Sequence, residues 1–278
     1  MAIFKLSSGK ARISIECELE LGEKLQACVF SALLRPARQP APIHYRILHS
    51  DERFLLYRNE RLTHRNRQLD KILYAIEWQI VADWTHLNRR SLIFHGAVLT
   101  KEQKGYVFIG GSGTGKTSFS IFLMRHGFEL LSDEFACIQI PSLKLLPFPR
   151  NFIIKPHLSK YLDLPRLQGK DSNYRQNTLS NYLAPFYFGN IARSAATISK
   201  IFFLKPVEGH QFHIDTIPEN QAFIELLQNS FNPQYFKSQL PDLLIKILNR
   251  AATFYLESSN PLGLNPANQK RLLTEILS

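Results

Sequence analysis

The stretch GYVFIGGSGTGKT, residues 105–117, joins a short apolar run to a glycine-rich loop. Its first five residues have the composition of a buried strand. The next eight are Gly110, Gly111, Ser112, Gly113, Thr114, Gly115, Lys116 and Thr117, and they match G-x-x-x-x-G-K-[ST] at all four fixed positions. Glycines permit positive φ and close backbone approach, so consecutive N–H groups can point at phosphate oxygens. The stretch predicts a strand, a phosphate-binding P-loop and the start of a helix.

Two side chains of the loop have predicted roles in binding ATP and Mg²⁺. Lys116 should reach the β- and γ-phosphates, and the Thr117 hydroxyl should ligate the metal. Apolar residues recur at helical spacing from Thr117 to Arg125, and Gly127 is a natural stop. A helix that begins at the loop would place the positive end of its dipole on the phosphates.

A pair of acids follows the next predicted strand. Phe128 to Leu131 is a short apolar run, and it leads into Ser132-Asp133-Glu134, so that Asp133 lies 17 residues after Lys116. Acids at such a strand end supply the Mg²⁺ ligand and, in some P-loop enzymes, the catalytic base. The short spacing is the more discriminating feature, because ordinary P-loop ATPases often carry this acid much farther along the chain.

His95 lies 21 residues before Lys116 and is followed by Gly96. A strand through residues 92–94, a hairpin at residues 101–104 and the return strand would bring His95 to the P-loop end of the sheet. A lone histidine is more often structural than functional, and the sequence alone leaves both roles open.

Together, His95-Gly96, the P-loop and Ser132-Asp133-Glu134 resemble the HPr kinase/phosphorylase family, over about residues 92–155. The resemblance implies an α/β fold with a P-loop kinase core of the HPr-kinase/PEP-carboxykinase-like type. It implies that Asp133 is the general base, that Glu134 lies near Mg²⁺ with Thr117, and that His95 orients Asp133 or the phosphates. The family has two aspartates where this chain has Asp133-Glu134, and its glycine-rich downstream signature is not found here. The resemblance therefore does not extend to HPr as the acceptor or to the reverse reaction.

The segment from Leu145 to Lys155 is similar to smaller HPr-kinase-like proteins from gene clusters for peptide natural products, including lasso peptides, and for polysaccharides. In lasso-peptide clusters such enzymes phosphorylate a serine of the precursor peptide. Arg150 is a candidate for stabilising the charge on the transferring phosphoryl group, and a surface arginine between prolines is an equal alternative. Members of the family are oligomers, so a homo-oligomer stays open.

The rest of the chain predicts a mainly β region over residues 1–66 and a kinase domain over residues 67–278. A helix is predicted over residues 69–87, with Trp78 and Trp84 as packing residues. Residues 170–181 read as a long loop, residues 198–204 as a buried strand, and residues 217–227, 241–253 and 266–277 as helices, the last capped by Asn265.

Charge favours acidic partners. The formal net charge is +11, and residues 35–67 hold eight arginines against three acids. This pattern suits either a solvated basic face or a docking surface for an acidic peptide or protein. The three cysteines do not predict a disulfide framework, and neither a signal peptide nor a membrane span is predicted. A cytoplasmic protein is expected.

The predicted function is ATP-dependent phosphoryl transfer to a hydroxyl, with a Ser or Thr of a peptide or protein favoured, and a natural-product precursor peptide first among these. Two alternatives remain: a kinase for a small molecule or sugar, and a regulatory ATPase without phosphotransfer. A nucleic-acid-dependent ATPase would rest on charge alone, and no nucleic-acid partner is expected.

Overall fold

A computed structural model of the chain describes residues 1–8, 10–163, 175–176 and 181–278. Most of the predicted loop at residues 170–181 therefore lies outside the described residues. None of the described helices combines the length and the apolar character that a membrane-spanning helix needs. The chain forms two compact units: Met1–Asn88, Arg150–Ser159 and Asp163–Ala184 make the first, and Arg89–Pro149, Lys160–Leu162 and Pro185–Ser278 make the second.

Strands and helices both occur throughout the described residues. The strands are β1 Ala2–Ser8, β2 Ala11–Cys17, β3 Leu34–Ala37, β4 Ile43–Ser50, β5 Arg53–Arg58, β6 Arg61–Asn66, β7 Ser91–Lys101, β8 Lys104–Ile109, β9 Glu129–Ser132, β10 Phe135–Gln139, β11 Lys144–Leu146, β12 Phe152–Ile154, β13 Arg175–Gln176, β14 Asn181–Leu183, β15 Ala196–Pro206, β16 Phe212–Thr216 and β17 Ala252–Ser258. The helices are α1 Leu19–Cys28, α2 Leu69–Leu87, α3 Lys116–Arg125, α4 Pro156–Ser159, α5 Glu219–Gln228, α6 Leu240–Leu248 and α7 Pro266–Leu277. The fold is mixed α/β, as the sequence predicts at that level.

The first unit contains a six-stranded sheet in the order β3-β1-β2-β4-β5-β6 and a small sheet in the order β12-β14-β13. In β2, Ile13, Ile15 and Cys17 are buried, and Ser14 between them is buried as well, its hydroxyl oxygen accepting from the Ala41 N–H at 2.8 Å. Helix α1 was not predicted, because residues 1–65 were read as strands alone. Its buried apolar side chains include Leu21 and Leu25, a single four-residue repeat that is too short to stand out in the sequence.

Helix α2 has the bounds that the apolar periodicity predicts. Trp84 is fully buried, and its indole N–H donates to Ser8 Oγ at 3.1 Å. The prediction that Trp78 packs in the same way is wrong, since 47% of its surface is exposed. Ile76 and Ile80 lie on the buried face. Trp78 is two positions from each of them and therefore points to the opposite side of the helix.

The compact units differ from the predicted division at residue 66, because α2 groups with the N-terminal strands. The buried stripe of α2 supplies apolar surface to the first unit, and α2 lies against β2, β5 and β6 of that sheet. Residues 150–159 also belong to this unit.

The second unit is built on a mixed sheet in the order β11-β10-β7-β8-β15-β17-β16, with β9 paired to β7. Strands β8, β15 and β17 run parallel to one another, whereas β7 is antiparallel to β8. The Phe108 ring lies 5.6 Å from that of Phe119 on α3 and 5.1 Å from that of Phe202 on β15. This stacking fixes α3 on the sheet where β8 ends, which positions the connecting P-loop.

The C-terminal elements agree with the sequence except at β17 and at β16, a strand that was not predicted. Helix α7 begins after Asn265, whose side chain accepts from the Asn268 N–H at 2.9 Å, as predicted. The helix predicted over residues 241–253 is wrong in its last part, since α6 ends at Leu248 and β17 begins at Ala252. β17 lies between β15 and β16, and pairing with two neighbours outweighs the helical periodicity of the sequence.

Candidate active site

The P-loop connects the end of β8 to the first turn of α3, as predicted. Gly113 and Gly115 have φ values of 88° and 102°, a region that side-chain-bearing residues rarely adopt. A β-carbon added at Gly111 or Gly113 would meet nothing within 4 Å, so the loop opens towards solvent there. The Thr114 hydroxyl donates to the Gly111 carbonyl at 3.0 Å and closes the turn. This backbone leaves room for a phosphate group beside the first N–H groups of α3, which have no acceptor within the helix.

Lys116 lies against the loop that it follows. Its ammonium group donates to the carbonyl oxygens of Gly110 and Gly111, each at 2.8 Å, and only 6% of the residue is exposed. The two carbonyl groups thus hold the positive charge of Lys116 at the mouth of the loop.

Asp133 follows β9 and is joined to two hydroxyl groups of α3. Thr117 Oγ1 donates to Asp133 Oδ2 at 2.9 Å, and Ser120 Oγ donates to Oδ1 at 2.7 Å. Thr117 and Ser120 are three residues apart and so share a face of the helix. Ser120 was not among the predicted site residues, although its spacing from Thr117 on a predicted helix could have indicated it.

The carboxyl group of Asp133 is electrostatically unusual. Burial, followed by the negative charge of Glu134, raises its pKa from the ordinary 3.8 to about 7, although the bonds from Ser120 and Thr117 and the charge of Lys116 act in the opposite direction. A carboxyl group that ionises near neutral pH is poised to exchange its proton for a cation.

Glu134 makes a different set of contacts from its neighbour. Its Oε1 lies 3.2 Å from His95 Nε2, and 36% of its side chain is exposed. Strands β7 and β10 pair in a register that sets His95 opposite Phe135, which brings residue 134 beside the histidine. The Gly110 N–H also donates to the His95 carbonyl at 3.4 Å. His95 therefore lies in the middle of β7, level with the end of β8 where the P-loop begins. Its carboxylate partner is Glu134, whereas the resemblance implied Asp133 or the phosphates.

The donor set beside the loop suits Mg²⁺. The Thr117 hydroxyl and the Asp133 carboxylate are adjacent oxygen ligands, and Mg²⁺ is usually held by one or two carboxylates together with substrate phosphates and water. Within the described ranges, no group of three or more His, Cys, Asp or Glu residues could hold a metal ion by itself. The resemblance implied Glu134 as the acid beside Thr117, but the hydroxyl bonds to Asp133.

Arg150, the remaining predicted site residue, belongs to the first unit. One of its terminal nitrogens lies 2.8 Å from Glu77 Oε1, and both side chains are buried. The Tyr182 hydroxyl donates to the other Glu77 oxygen at 3.0 Å. Arg150 is thus part of a buried ion pair, and its role in stabilising a phosphoryl group stays a prediction.

This ion pair predicts a clear stability result. Arg150→Met and Glu77→Leu should each destabilise the protein by about 3 kcal/mol or more, since either change leaves a charge buried without its partner. The double variant should recover most of that loss, as measured by urea denaturation of all four proteins. If the double variant instead loses as much stability as the two single variants together, the result would contradict the pairing. If Arg150 also acts in transfer, the folded double variant will lose phosphoryl transfer.

Comparison with models of known protein families gives no match for this chain, and no curated protein sequence matches it.

Proposed function

We propose that this protein is an ATP-dependent kinase that transfers the γ-phosphate to a hydroxyl group, on a P-loop kinase core of the HPr-kinase-like type. The observation that carries the proposal is that two carboxylates lie beside one P-loop, each paired with a different side chain. Thr117 bonds to Asp133, and His95 lies within hydrogen-bonding distance of Glu134. An enzyme that transfers a phosphoryl group needs both a metal ligand and a proton acceptor, and these two pairs can supply them.

The residues around the loop would bind the nucleotide. Bound ATP would supply the γ-phosphoryl group, whose bond to the bridging oxygen of the departing ADP would break as its bond to the acceptor oxygen forms, and Mg²⁺ would offset charge on the phosphates. The loop backbone and Lys116 would hold the phosphates and offset the negative charge that develops on them. Thr117 and Asp133 would hold the metal.

Glu134 is the better candidate for the proton acceptor. It is more exposed than Asp133, whose two carboxylate oxygens accept from the hydroxyl groups of Thr117 and Ser120 on α3. Its contact with His95 would fix its orientation and stabilise its charge. This assignment exchanges the roles that the family resemblance implies for Asp133 and Glu134, so the two acids can be tested against each other.

The favoured acceptor is a Ser or Thr of an acidic peptide or protein. Three of the eight arginines in residues 35–67 have structural contacts: Arg58 with Asp83, Arg46 with Glu60, and Arg35 with backbone carbonyls. The other five are exposed: Arg38, Arg53, Arg61, Arg65 and Arg67. This remaining positive charge would attract an acidic chain.

The proposal is tested with γ-labelled ATP, Mg²⁺ and synthetic Ser- and Thr-containing peptides, including natural-product precursor peptides. We expect label on a peptide hydroxyl, located by mass spectrometry. Lys116→Ala should weaken ATP binding about tenfold or more by calorimetry, because a charged hydrogen-bond donor is lost. Lys104→Ala, which removes an exposed lysine at the other end of β8, is the matched control. Release of phosphate with no labelled peptide, sugar or other hydroxyl compound would favour a regulatory ATPase instead.

A further inference from the structure

Residues 229–232 run beside the first half of β7 and supply a backbone neighbour where β7 approaches the P-loop. The His95 N–H donates to the Asn229 carbonyl at 2.8 Å, and the Phe231 N–H donates to the Ile93 carbonyl at 2.8 Å. Between these two bonds, Ser230 forms an antiparallel bridge with Phe94. The segment thus has a fixed register with the strand that carries His95.

Asn232 locks this register. Its side-chain oxygen accepts from the Ile93 N–H and its side-chain nitrogen donates to the Ser91 carbonyl, both at 2.9 Å, and the residue is fully buried. A buried amide with both ends satisfied holds the backbone on either side of it, because a shift of register would leave polar groups without partners. Phe231, the residue before it, is therefore held in place.

The Phe231 ring lies beside the His95–Glu134 pair. Its centroid is 5.5 Å from that of His95 and 5.2 Å from that of Phe135, yet 44% of the residue is exposed. An aromatic ring that is fixed by its backbone and open to solvent loses little conformational entropy when it binds a partner. Such rigid, partly exposed aromatic residues are typical anchors of binding sites.

Two more exposed apolar residues precede Phe231 on the same stretch of chain. Ile224 and Leu227 are 49% and 42% exposed, and their spacing of three residues places them on one face of α5. We call Ile224, Leu227 and Phe231 the apolar strip. A single sugar ring could stack on one aromatic residue, but it presents hydroxyl groups that aliphatic side chains cannot satisfy. A strip of three apolar residues better fits apolar side chains from a polypeptide.

We propose that Phe231, at the end of the apolar strip, binds an apolar side chain next to the acceptor Ser or Thr of a peptide, and so selects the acceptor. The inference rests on the proposed kinase function, which gives the neighbouring His95–Glu134 pair its acceptor hydroxyl.

The test uses an array of synthetic peptides with one central Ser, each flanking position fixed in turn as Leu, Phe, Asp or Lys. The array is read for bound protein with Mg²⁺ and a non-hydrolysable ATP analogue, and then for label transferred from γ-labelled ATP. The proteins are the wild type, Phe231→Ala, Phe231→Leu and Leu277→Ala. Leu277 is a matched control, being 38% exposed on α7, which packs against β16 four strands away from β7.

The wild type and Leu277→Ala should select an apolar residue at one flanking position in both readings. Phe231→Ala should lose that selection and raise the KM for the selected peptide about tenfold, with the KM for ATP unchanged. Phe231→Leu should keep most of the selection because it retains apolar surface. Unchanged selection in Phe231→Ala, or a kcat lowered equally for every peptide, would overturn the inference, since the second result means that Phe231 only supports His95.

The two readings separate this inference from the proposed function. Phe231-dependent binding without transfer of label supports the docking site and contradicts the kinase. Labelling without flanking selection supports the kinase and overturns the inference. Failure to bind or label any peptide overturns the inference, whereas the proposed kinase fails only if no sugar or other hydroxyl compound is labelled either. Phe231-dependent phosphorylation of a free hexose would replace the peptide with a sugar.

Discussion

Glu134→Gln should lower the rate of phosphoryl transfer by at least about a hundredfold while leaving the affinity for ATP and Mg²⁺ nearly unchanged. A glutamine can still accept a hydrogen bond from His95, but it cannot take the proton of the acceptor hydroxyl. The side chain also keeps its size, so the 3.2 Å contact with His95 need not move. Single-turnover transfer and calorimetric ATP binding measure the two effects separately.

Two variants serve as references for this result. Glu129→Gln removes an exposed carboxylate from β9, a few residues away on the same chain, and should have no effect on transfer. His95→Gln should slow transfer by a smaller factor, because it removes the group that orients the base and leaves the base itself. Normal transfer by Glu134→Gln, with loss of transfer but intact ATP binding in Asp133→Asn, would restore Asp133 as the base.

The local elements of the site could be predicted because their signals lie within short stretches of chain. The strand, loop and helix over residues 105–125 follow from one apolar run, four fixed motif positions and one helical period. Helix α2 was equally clear, since its apolar residues recur over five turns. In each case neighbouring residues carry the whole pattern, and these elements lie in the structure where the pattern predicts them.

The partners of the two acids could not be predicted in the same way. Asp133 and Glu134 are consecutive residues in the bend between β9 and β10, and their side chains meet different partners. One meets the hydroxyl groups of α3 and the other meets His95. Which acid meets which partner depends on how α3 packs over the sheet, and the sequence does not contain that packing as a local pattern.

Contacts over long sequence separations were missed for a related reason. Asn232 bonds to Ile93 across 139 residues, and no periodic signal connects the two. Phe231 consequently had no place among the predicted site residues. The error at β17 has the same origin, since strand pairing with β15 and β16 decides a segment whose own residues suit a helix equally well.

Asp133→Asn should weaken Mg²⁺-dependent ATP binding by at least about a hundredfold, and it should also stabilise the nucleotide-free protein above neutral pH. The first effect follows from the loss of a charged metal ligand beside Thr117, and it is measured by ATP binding with and without Mg²⁺. The second follows from the raised pKa of Asp133, about 7 in the folded protein against an ordinary value of 3.8.

The direction of the pH effect is fixed by proton binding. Between about pH 4 and 7 the folded protein holds a proton on Asp133 that the unfolded chain releases, so the free energy of unfolding falls as the pH rises through this window. At pH 8 the buried carboxylate then costs roughly 4 kcal/mol that an asparagine avoids. Thermal denaturation without nucleotide or metal should give Asp133→Asn the higher Tm at pH 8 and a clearly smaller advantage at pH 5. Glu129→Gln should show no such dependence, and equal destabilisation of Asp133→Asn at both pH values would mean that the hydroxyl bonds from Thr117 and Ser120 outweigh the burial of the charge.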